Sequence, residues 1–109
     1  MARRGEAERL AAYVDAGAPV DLADPAGNTM LMLAAYHGHA DAVRALADRG
    51  AGVDRLNDRG QSPLAGAVFK GEEDVVAALL EHGADPDHGT PTARATAEMF
   101  GRTDLLPPA

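Results

Sequence analysis

The sequence contains no cysteine and no tryptophan, and it has only two tyrosines and two phenylalanines. Without cysteine the chain can form neither a disulfide scaffold nor a cysteine-ligated zinc site, and it has no thiol nucleophile. No apolar run is long enough for a membrane helix, and no apolar stretch follows Arg3 and Arg4 to complete a secretory signal. We therefore expect a cytoplasmic protein that does not use a membrane as partner.

Basic residues are also scarce: the sequence has 10 Lys and Arg but 17 Asp and Glu, which gives a net charge of −7 at pH 7. This balance argues against nucleic acid as the main partner. Alanine, in contrast, is abundant: it accounts for 24 of the 109 residues, or about half of the hydrophobic ones. A chain of this length forms one domain, and its small apolar side chains predict thin, closely packed layers.

Glycine recurs with a period of 33 residues, and apolar and acidic residues share this register. The main series are Gly5, Gly38 and Gly71; Gly17, Gly50 and Gly83; Leu10, Val43 and Val76; Tyr13, Leu46 and Leu79; and Glu8, Asp41 and Asp74. Three residue classes with one period establish an internal repeat.

One unit of this repeat, residues 24–56, predicts two short helices joined by turns. Thr29 is a good N-cap for a first helix that ends near Gly38 in the left-handed conformation. Asp41 lies in the first turn of a second helix, which ends near Gly50 and is followed by a polar loop. Neither helix exceeds about three turns, so each unit must stack on its neighbours to bury its apolar face.

Two segments, Gly27-Asn-Thr-Met-Leu and Gly60-Gln-Ser-Pro-Leu, begin a pattern that resembles the ankyrin repeat, and Gly83-Ala-Asp matches the end of its unit. The histidine of the family's Thr-Pro-Leu-His tetrapeptide is missing from both segments. The resemblance covers nearly the whole chain and implies an all-α solenoid of helix-turn-helix units with extended loops. The alanine-rich, arginine-over-lysine composition is similar to that of small bacterial ankyrin proteins.

The register divides the single domain into four parts: a partial repeat at 1–23, full repeats at 24–56 and 57–87, and a truncated capping repeat at 88–109. We expect the first part to keep only its second helix, at about Glu6 to Ala16. We also expect a loop at 87–92 that is three residues short and lacks a hairpin, and a last helix that stops at Leu105–Pro108. Two full units are few for a solenoid. The chain is therefore either a shortened form of a longer protein or has its N-terminal face covered, for example by a second copy.

The residues that could carry chemistry have simpler structural explanations. His37 and His39 have the spacing of a metal pair, but they fall across a helix end, and His82 suits the carboxyl end of a helix. Ser62 is a helix N-cap rather than a nucleophile, and the acidic run 72–74 suits a first helical turn. No nucleophile, base and orienting group come together, and no phosphate loop is present. We expect no catalysis, no cofactor and no metal.

Binding is the better hypothesis, because the resemblance implies a partner surface on the concave side, made by the first helices and the loop tips. Three of the four aromatic residues lie in the pair of positions before a mid-unit glycine. This pair forms an aromatic row of Tyr36, Phe69 and Met99, which we expect to stack along the repeat, and a flanking row of Arg4, His37, Lys70 and Phe100. The loop tips add a polar rim of Asp24, Asn28, Asn57, Asp58, Arg59 and Gln61.

These residues predict a non-catalytic module that binds an unidentified protein with apolar side chains and some acidic character. One alternative is that the large side chains only cover the seam between helices. A second is a structural cap or inhibitor that docks by its N-terminal face, near Leu10 and Val14, on a larger chain or a second copy, so that it is a monomer or weakly self-associating. A third, an enzyme for a small molecule or metal, requires a histidine–acid pair.

Overall fold

The computed structural model describes the backbone of residues 3–107 and the side chains of residues 7–107. This part of the chain contains six α-helices: α1 (Arg3–Asp15), α2 (Met30–Tyr36), α3 (Ala40–Asp48), α4 (Pro63–Lys70), α5 (Glu73–Glu81) and α6 (Ala93–Phe100). A short 3₁₀-helix follows at Thr103–Leu105. Apart from one isolated bridge, between Ala23 and Thr29, the described residues form no β-structure.

The helices form two layers. Helices α1, α3 and α5 pack side by side as the outer layer, while α2, α4 and α6 form the inner layer. The large side chains with at most 2% exposure lie between the layers and between successive units. They are Leu31 and Leu64 on the inner helices and Val43, Leu46, Val75, Val76 and Leu79 on the outer ones, together with Val68 on α4.

Each inner helix begins at the same kind of cap. The hydroxyl oxygens of Thr29, Ser62 and Thr92 accept hydrogen bonds, of 3.2, 3.1 and 3.0 Å, from the backbone N–H three residues further along. Pro63 follows Ser62 at the first helical position, where its missing N–H costs nothing. The predicted N-caps at Thr29 and Ser62 are confirmed.

The inner helices α2 and α4 end at glycines with left-handed backbone, as predicted for Gly38. The φ angles are +76° at Gly38 and +68° at Gly71, a region that other residues rarely adopt. A charged side chain of the next unit lies over each glycine. A β-carbon would lie 2.5 Å from the Glu72 carboxylate at Gly38 and 3.0 Å from the Arg102 guanidinium at Gly71. Glycine is therefore required here both by conformation and by close approach.

The first and last helices depart from the repeating unit. Helix α1 begins at Arg3, three residues earlier than we expected, because Gly5 is helical where the equivalent Gly38 and Gly71 form turns. At the other end, the 3₁₀-helix at Thr103–Leu105 stands where a second helix would begin, which confirms the early stop expected there. Leu106 then folds back and is only 8% exposed, so that it covers the end of the apolar core.

Polar contacts between neighbouring outer helices repeat with the same 33-residue period. The side chain of Arg49, at the end of α3, donates to the Asp15 carboxylate of α1 at 3.0 Å. The equivalent residue His82, at the end of α5, pairs through Nε2 with the Asp48 carboxylate of α3 at 2.9 Å. One position in each unit therefore links its outer helix to the preceding one.

A second repeated contact joins the loops after the outer helices. The Asp21 carboxylate accepts a hydrogen bond from the backbone N–H of Gly52 at 2.9 Å. One unit later, Asp54 accepts from the backbone N–H of Asp85 at 2.8 Å. The acidic positions that share the 33-residue register thus satisfy loop backbone groups of the following unit.

The surroundings of His82 favour its charged form. Its Nδ1 lies 2.9 Å from the carbonyl oxygen of Ala78, and its Nε2 lies 2.9 Å from Asp48 Oδ1. Both partners are acceptors, so both ring nitrogens must donate, and only the imidazolium can do this. The hydrogen bonds to Ala78 and then Asp48 raise the pKa of His82 above its ordinary value of about 6.5.

Removal of a buried inner leucine should cost much of the stability. Leu64→Ala leaves a cavity between units, so we expect the free energy of unfolding, measured by urea denaturation, to fall by about 2–5 kcal/mol. Leu22→Ala is the matched control because Leu22 is 50% exposed, and its effect should stay below about 1 kcal/mol. Equal effects of the two substitutions would contradict the assigned core.

Stability should depend on pH through His82. Because the folded state raises the pKa of this group, its contribution is fully present below about pH 6.5 and is lost as pH rises through the folded value. We expect the free energy of unfolding of wild type to exceed that of His82→Ala by a few tenths to about 1 kcal/mol near pH 5.5, and by less at pH 8.5. Asp48→Asn should reduce the same difference. Urea melts across this range test the sign, and a gap that widens with pH would contradict it.

Candidate partner-binding groove

A groove of about 740 Å³ runs across α2, α4 and α6, between the loop tips at 26–28 and 57–61 and the carboxyl ends of these helices. The inner helices provide its floor, since they present their non-core face on this side. Nine of the thirteen residues that the sequence suggested for partner binding line it: Asn28, Tyr36, His37, Asn57, Arg59, Gln61, Phe69, Met99 and Phe100.

The other four residues do not line the groove, and one of them, Asp24, binds the backbone of the first loop tip instead. Lys70 is exposed beside the groove, with its ammonium group 4.5 Å from the centre of the Tyr36 ring. Asp58 is on the loop tip but faces the preceding tip, where its carboxylate lies against Gly27. The side chain of Arg4 falls outside the described residues.

Large apolar side chains are concentrated in the groove. Of the eight large hydrophobic residues that are exposed in the described chain, five line it. The exposed fractions are 46% for Tyr36, 52% for Phe69, 70% for Met99 and 48% for Phe100. The fifth is Leu33, at 40%. The groove therefore offers an apolar surface of several neighbouring side chains to a partner.

The ring contacts in the groove cross from the aromatic row to the flanking row of the next unit. Phe69 meets Phe100 edge-to-face with 5.2 Å between ring centroids. Lys70 lies over the ring of Tyr36 in the same diagonal relation. Within one unit, His37 meets Tyr36 edge-to-face at 5.5 Å. The rows therefore support each other across the unit boundary, in geometries that aromatic rings and cations favour.

A hydrogen-bond network fixes the loop tips at the opposite wall. Asn57 Oδ1 accepts from the backbone N–H groups of Arg59 and Gln61, both at 3.0 Å. Its Nδ2 donates to Asn28 Oδ1 at 3.0 Å and to Gln61 Oε1 at 2.7 Å. Because Asn57 links its own tip to the preceding one, the polar rim is a connected structure rather than two separate loops.

Asp24 has the equivalent function one unit earlier. Its carboxylate accepts from the backbone N–H groups of Ala26 and Asn28 at 2.9 Å each. The hydrogen bond from the Asn28 backbone is the largest cause that lowers the pKa of Asp24 below its ordinary value. The third unit differs, because the shortened loop makes no hairpin of this kind; there, the Thr90 N–H donates to the Gly60 carbonyl at 2.9 Å.

The charge of the groove is opposite to that of the whole chain. The protein carries a net charge of −7, yet none of the residues that line the groove is acidic. Arg59 and His37 line it, and Lys70 stands beside it. Among the described residues, neither Arg59 nor Lys70 is in an ion pair, whereas Arg44, Arg49, Arg55 and Arg94 each pair with a carboxylate.

Sequence reasoning missed the central row of the groove floor, which consists of Leu33, Gly66 and Thr96. The first two are 33 residues apart, and the third follows after 30 because of the shortened loop. Thr96 is buried and its hydroxyl donates to its own helix, to the Thr92 carbonyl at 2.9 Å. The 33-residue register could have identified this row, but the glycine in it gave no signal of its own.

The residues that suggested other chemistry do not assemble a site. The rings of His37 and His39 are 6.2 Å apart, and no group of three or more potential metal ligands occurs among the described residues. Ser62 is 2% exposed, and its hydroxyl oxygen accepts from the helix backbone. In residues 3–107, no helix is both long and apolar enough to cross a membrane.

Comparison with known proteins agrees with the repeat. A family model described as ankyrin repeats, in three copies, matches residues 1–90. No curated protein matches the sequence. Ankyrin repeats are generally modules for protein–protein interaction and are generally non-catalytic. The two-layered stack of paired helices with a 33-residue period and the family match together show that the chain belongs to the ankyrin-repeat family.

Proposed function

We propose that the protein binds a partner protein through the groove on its inner helices and loop tips, without catalysis or a cofactor. The observation that carries this proposal is the set of half-exposed aromatic side chains, Tyr36, Phe69 and Phe100, that share one groove. Each such side chain can bury roughly 150–250 Å² against a partner. Aromatic anchors inside a polar rim are the usual anatomy of an interaction hot spot.

The exposure of these rings argues against a purely structural role at the seam between helices. At the seam itself, the described core is filled by leucine, valine and alanine with almost no exposure. Tyr36 and Phe69 contribute little to that core, because about half of each side chain faces solvent. Their removal should therefore cost binding more than folding.

The absence of cysteine is compatible with a reducing compartment, and we place the function in the cytoplasm. The bacterial origin that the composition suggests is part of the same proposal. The partner offers apolar side chains with some acidic character, since the groove is apolar and its charged neighbours are cationic.

The double substitution Tyr36→Ala with Phe69→Ala tests the groove. We expect the variant to lose capture of the partners that wild type retains from a cell extract, by tenfold or more, while its helical circular dichroism is unchanged. Leu22→Ala is the matched control, because Leu22 is 50% exposed and lies outside the groove. Retention of the same partners by the folded double variant would contradict the proposal. If the variant fails to fold, Tyr36 and Phe69 are part of the core, which also contradicts it.

A second candidate function is docking by the N-terminal face, on a larger chain or a second copy. The observation that favours it is the exposure of Tyr13, whose equivalents Leu46 and Leu79 are fully buried. Leu10 and Val14 lie on the same helix and are only partly buried. A second copy that covers this face would give Tyr13 the surroundings that its equivalents have.

Self-association through α1 can be measured by sedimentation equilibrium. If a second copy covers the face, the apparent mass of wild type should rise with protein concentration, and Tyr13→Glu should hold it at the monomer value because a charge would be buried. The double groove variant is the control and should associate like wild type. A mass that stays monomeric for wild type up to about 1 mM excludes the second copy.

A further inference from the structure

We propose that the groove recognises one aliphatic side chain of its partner in a socket over Gly66, and that acidic residues beside that side chain bind Arg59 and Lys70. The socket is the depression over Gly66 that is bordered by Leu33, Phe69 and Met99. This inference rests on the proposed binding through the groove and specifies what the groove selects.

The socket exists because the middle unit lacks a side chain. Gly66 lies inside α4, on the face that lines the groove, and beyond its chain neighbours and the backbone of its own helix a β-carbon there would meet no described heavy atom within 4 Å. Its equivalent in the preceding unit is Leu33, which is 40% exposed in the same groove. Phe69, three residues after Gly66, shares its helix face. The missing side chain thus leaves space between large apolar neighbours.

Glycine at this position is unfavourable for the helix itself. The backbone of Gly66 is not in the left-handed region, so neither a turn nor a cap requires glycine. Glycine inside a helix is less stable than alanine by roughly 0.5–1 kcal/mol in general. Nor does close packing require it, since the space above it is open. Space for a partner side chain is the explanation that accounts for all three observations.

The occupant is aliphatic, of leucine or methionine size, because it takes the place that Leu33 fills in its own unit. The floor around Gly66 offers no free hydroxyl donor: Met32 and Ala65 are each 7% exposed and line the same groove, and the Thr96 hydroxyl donates to its own helix. A polar side chain in this socket would lose its hydration without gaining a hydrogen bond.

The cations beside the groove determine the charge of the partner. Arg59 and Lys70 form no ion pair with any described carboxylate, and the groove lining itself contains no acid. Lys70 is held over the Tyr36 ring, so its ammonium is already positioned at the border. Covering these cations without a counter-charge would cost desolvation energy, which acidic residues on the partner would offset.

These properties fit a peptide segment in which acidic residues flank a leucine, isoleucine or methionine. A groove of about 740 Å³ has the size of sites that enclose several side chains or a small molecule. The segment is favoured over a small molecule because Gln61 of the polar rim is exposed, and its side-chain NH2 group donates to no described residue and can donate to a peptide carbonyl.

The test is selection of 12-residue peptides from a random phage-displayed library on the wild-type protein, followed by calorimetry with the best synthetic peptide. We expect enrichment of acidic residues around one aliphatic residue. Replacement of that residue by alanine, or of the acids by lysine, should weaken binding tenfold or more. Gly66→Leu should abolish binding, and Arg59→Ala should weaken it about threefold to tenfold.

Gly66→Ala separates binding from folding. We expect it to raise Tm by about 2–6 °C, because alanine favours the helix, while it weakens peptide binding severalfold by filling the socket. Gly52→Ala is the control: Gly52 lies outside the groove, and a β-carbon there would make only ordinary contacts of 3.5 Å or more. It should leave peptide affinity unchanged.

The outcomes distinguish this inference from the proposed function. Suppose that peptide binding requires Tyr36 and Phe69 but is unchanged by Gly66→Leu and by replacement of the peptide's acids with lysine. This result would overturn the inference about the socket and leave the groove as the binding site. Peptides that bind without need of Tyr36 and Phe69 would overturn both. A library that yields no binding peptide, or one enriched in basic residues, would also overturn the inference.

Discussion

The structure depends on the burial of a few leucine and valine side chains between neighbouring units. The inner helices have only seven or eight residues, and helices of this length are not stable in water by themselves. Leu31, Leu46, Leu64 and Leu79 are nevertheless completely buried, because they belong to one apolar core that runs through all the units. Alanine at the positions between them lets the helices approach closely, which explains why this composition needs few large residues.

The 33-residue repeat that builds the core also produces the proposed binding surface. Hydroxyl caps at Thr29, Ser62 and Thr92 start the inner helices at equivalent points, so that their exposed faces align. Aromatic residues near the carboxyl ends of these helices then become neighbours in space, although they are about 30 residues apart in the chain. Ion pairs such as those of Arg49 and His82 hold the opposite, outer side. The proposed binding surface and these ion pairs thus lie on different faces of one stack.

The sequence predicts the features that recur with the 33-residue period. It predicts the caps, the left-handed Gly38, the stop of the last helix, and the sharing of one surface by Tyr36 and Phe69. It does not predict how far one unit is offset from the next. Because of this offset, Phe69 of the aromatic row contacts Phe100 of the flanking row in the next unit. The early start of α1 is a further difference, because a glycine that ends a helix in two units is helical in the first. The depression over Gly66 escapes prediction because it consists of a missing side chain, whose effect depends on the neighbours that the fold provides.

The distribution of charge is compatible with the proposed binding of an acidic segment by an acidic protein. Its net charge of −7 repels such a partner at long range, where the charges act together. At contact distance, however, Arg59 and Lys70 dominate, since no acidic residue lines the groove and neither cation is in an ion pair with a described carboxylate. Physiological salt screens charges beyond about 8–10 Å and so weakens the repulsion more than the local attraction. The proposed recognition at the groove therefore combines a local charge contact with apolar burial. The acidic exterior then disfavours partners that lack a side chain to fill the socket, because charge alone brings no net attraction.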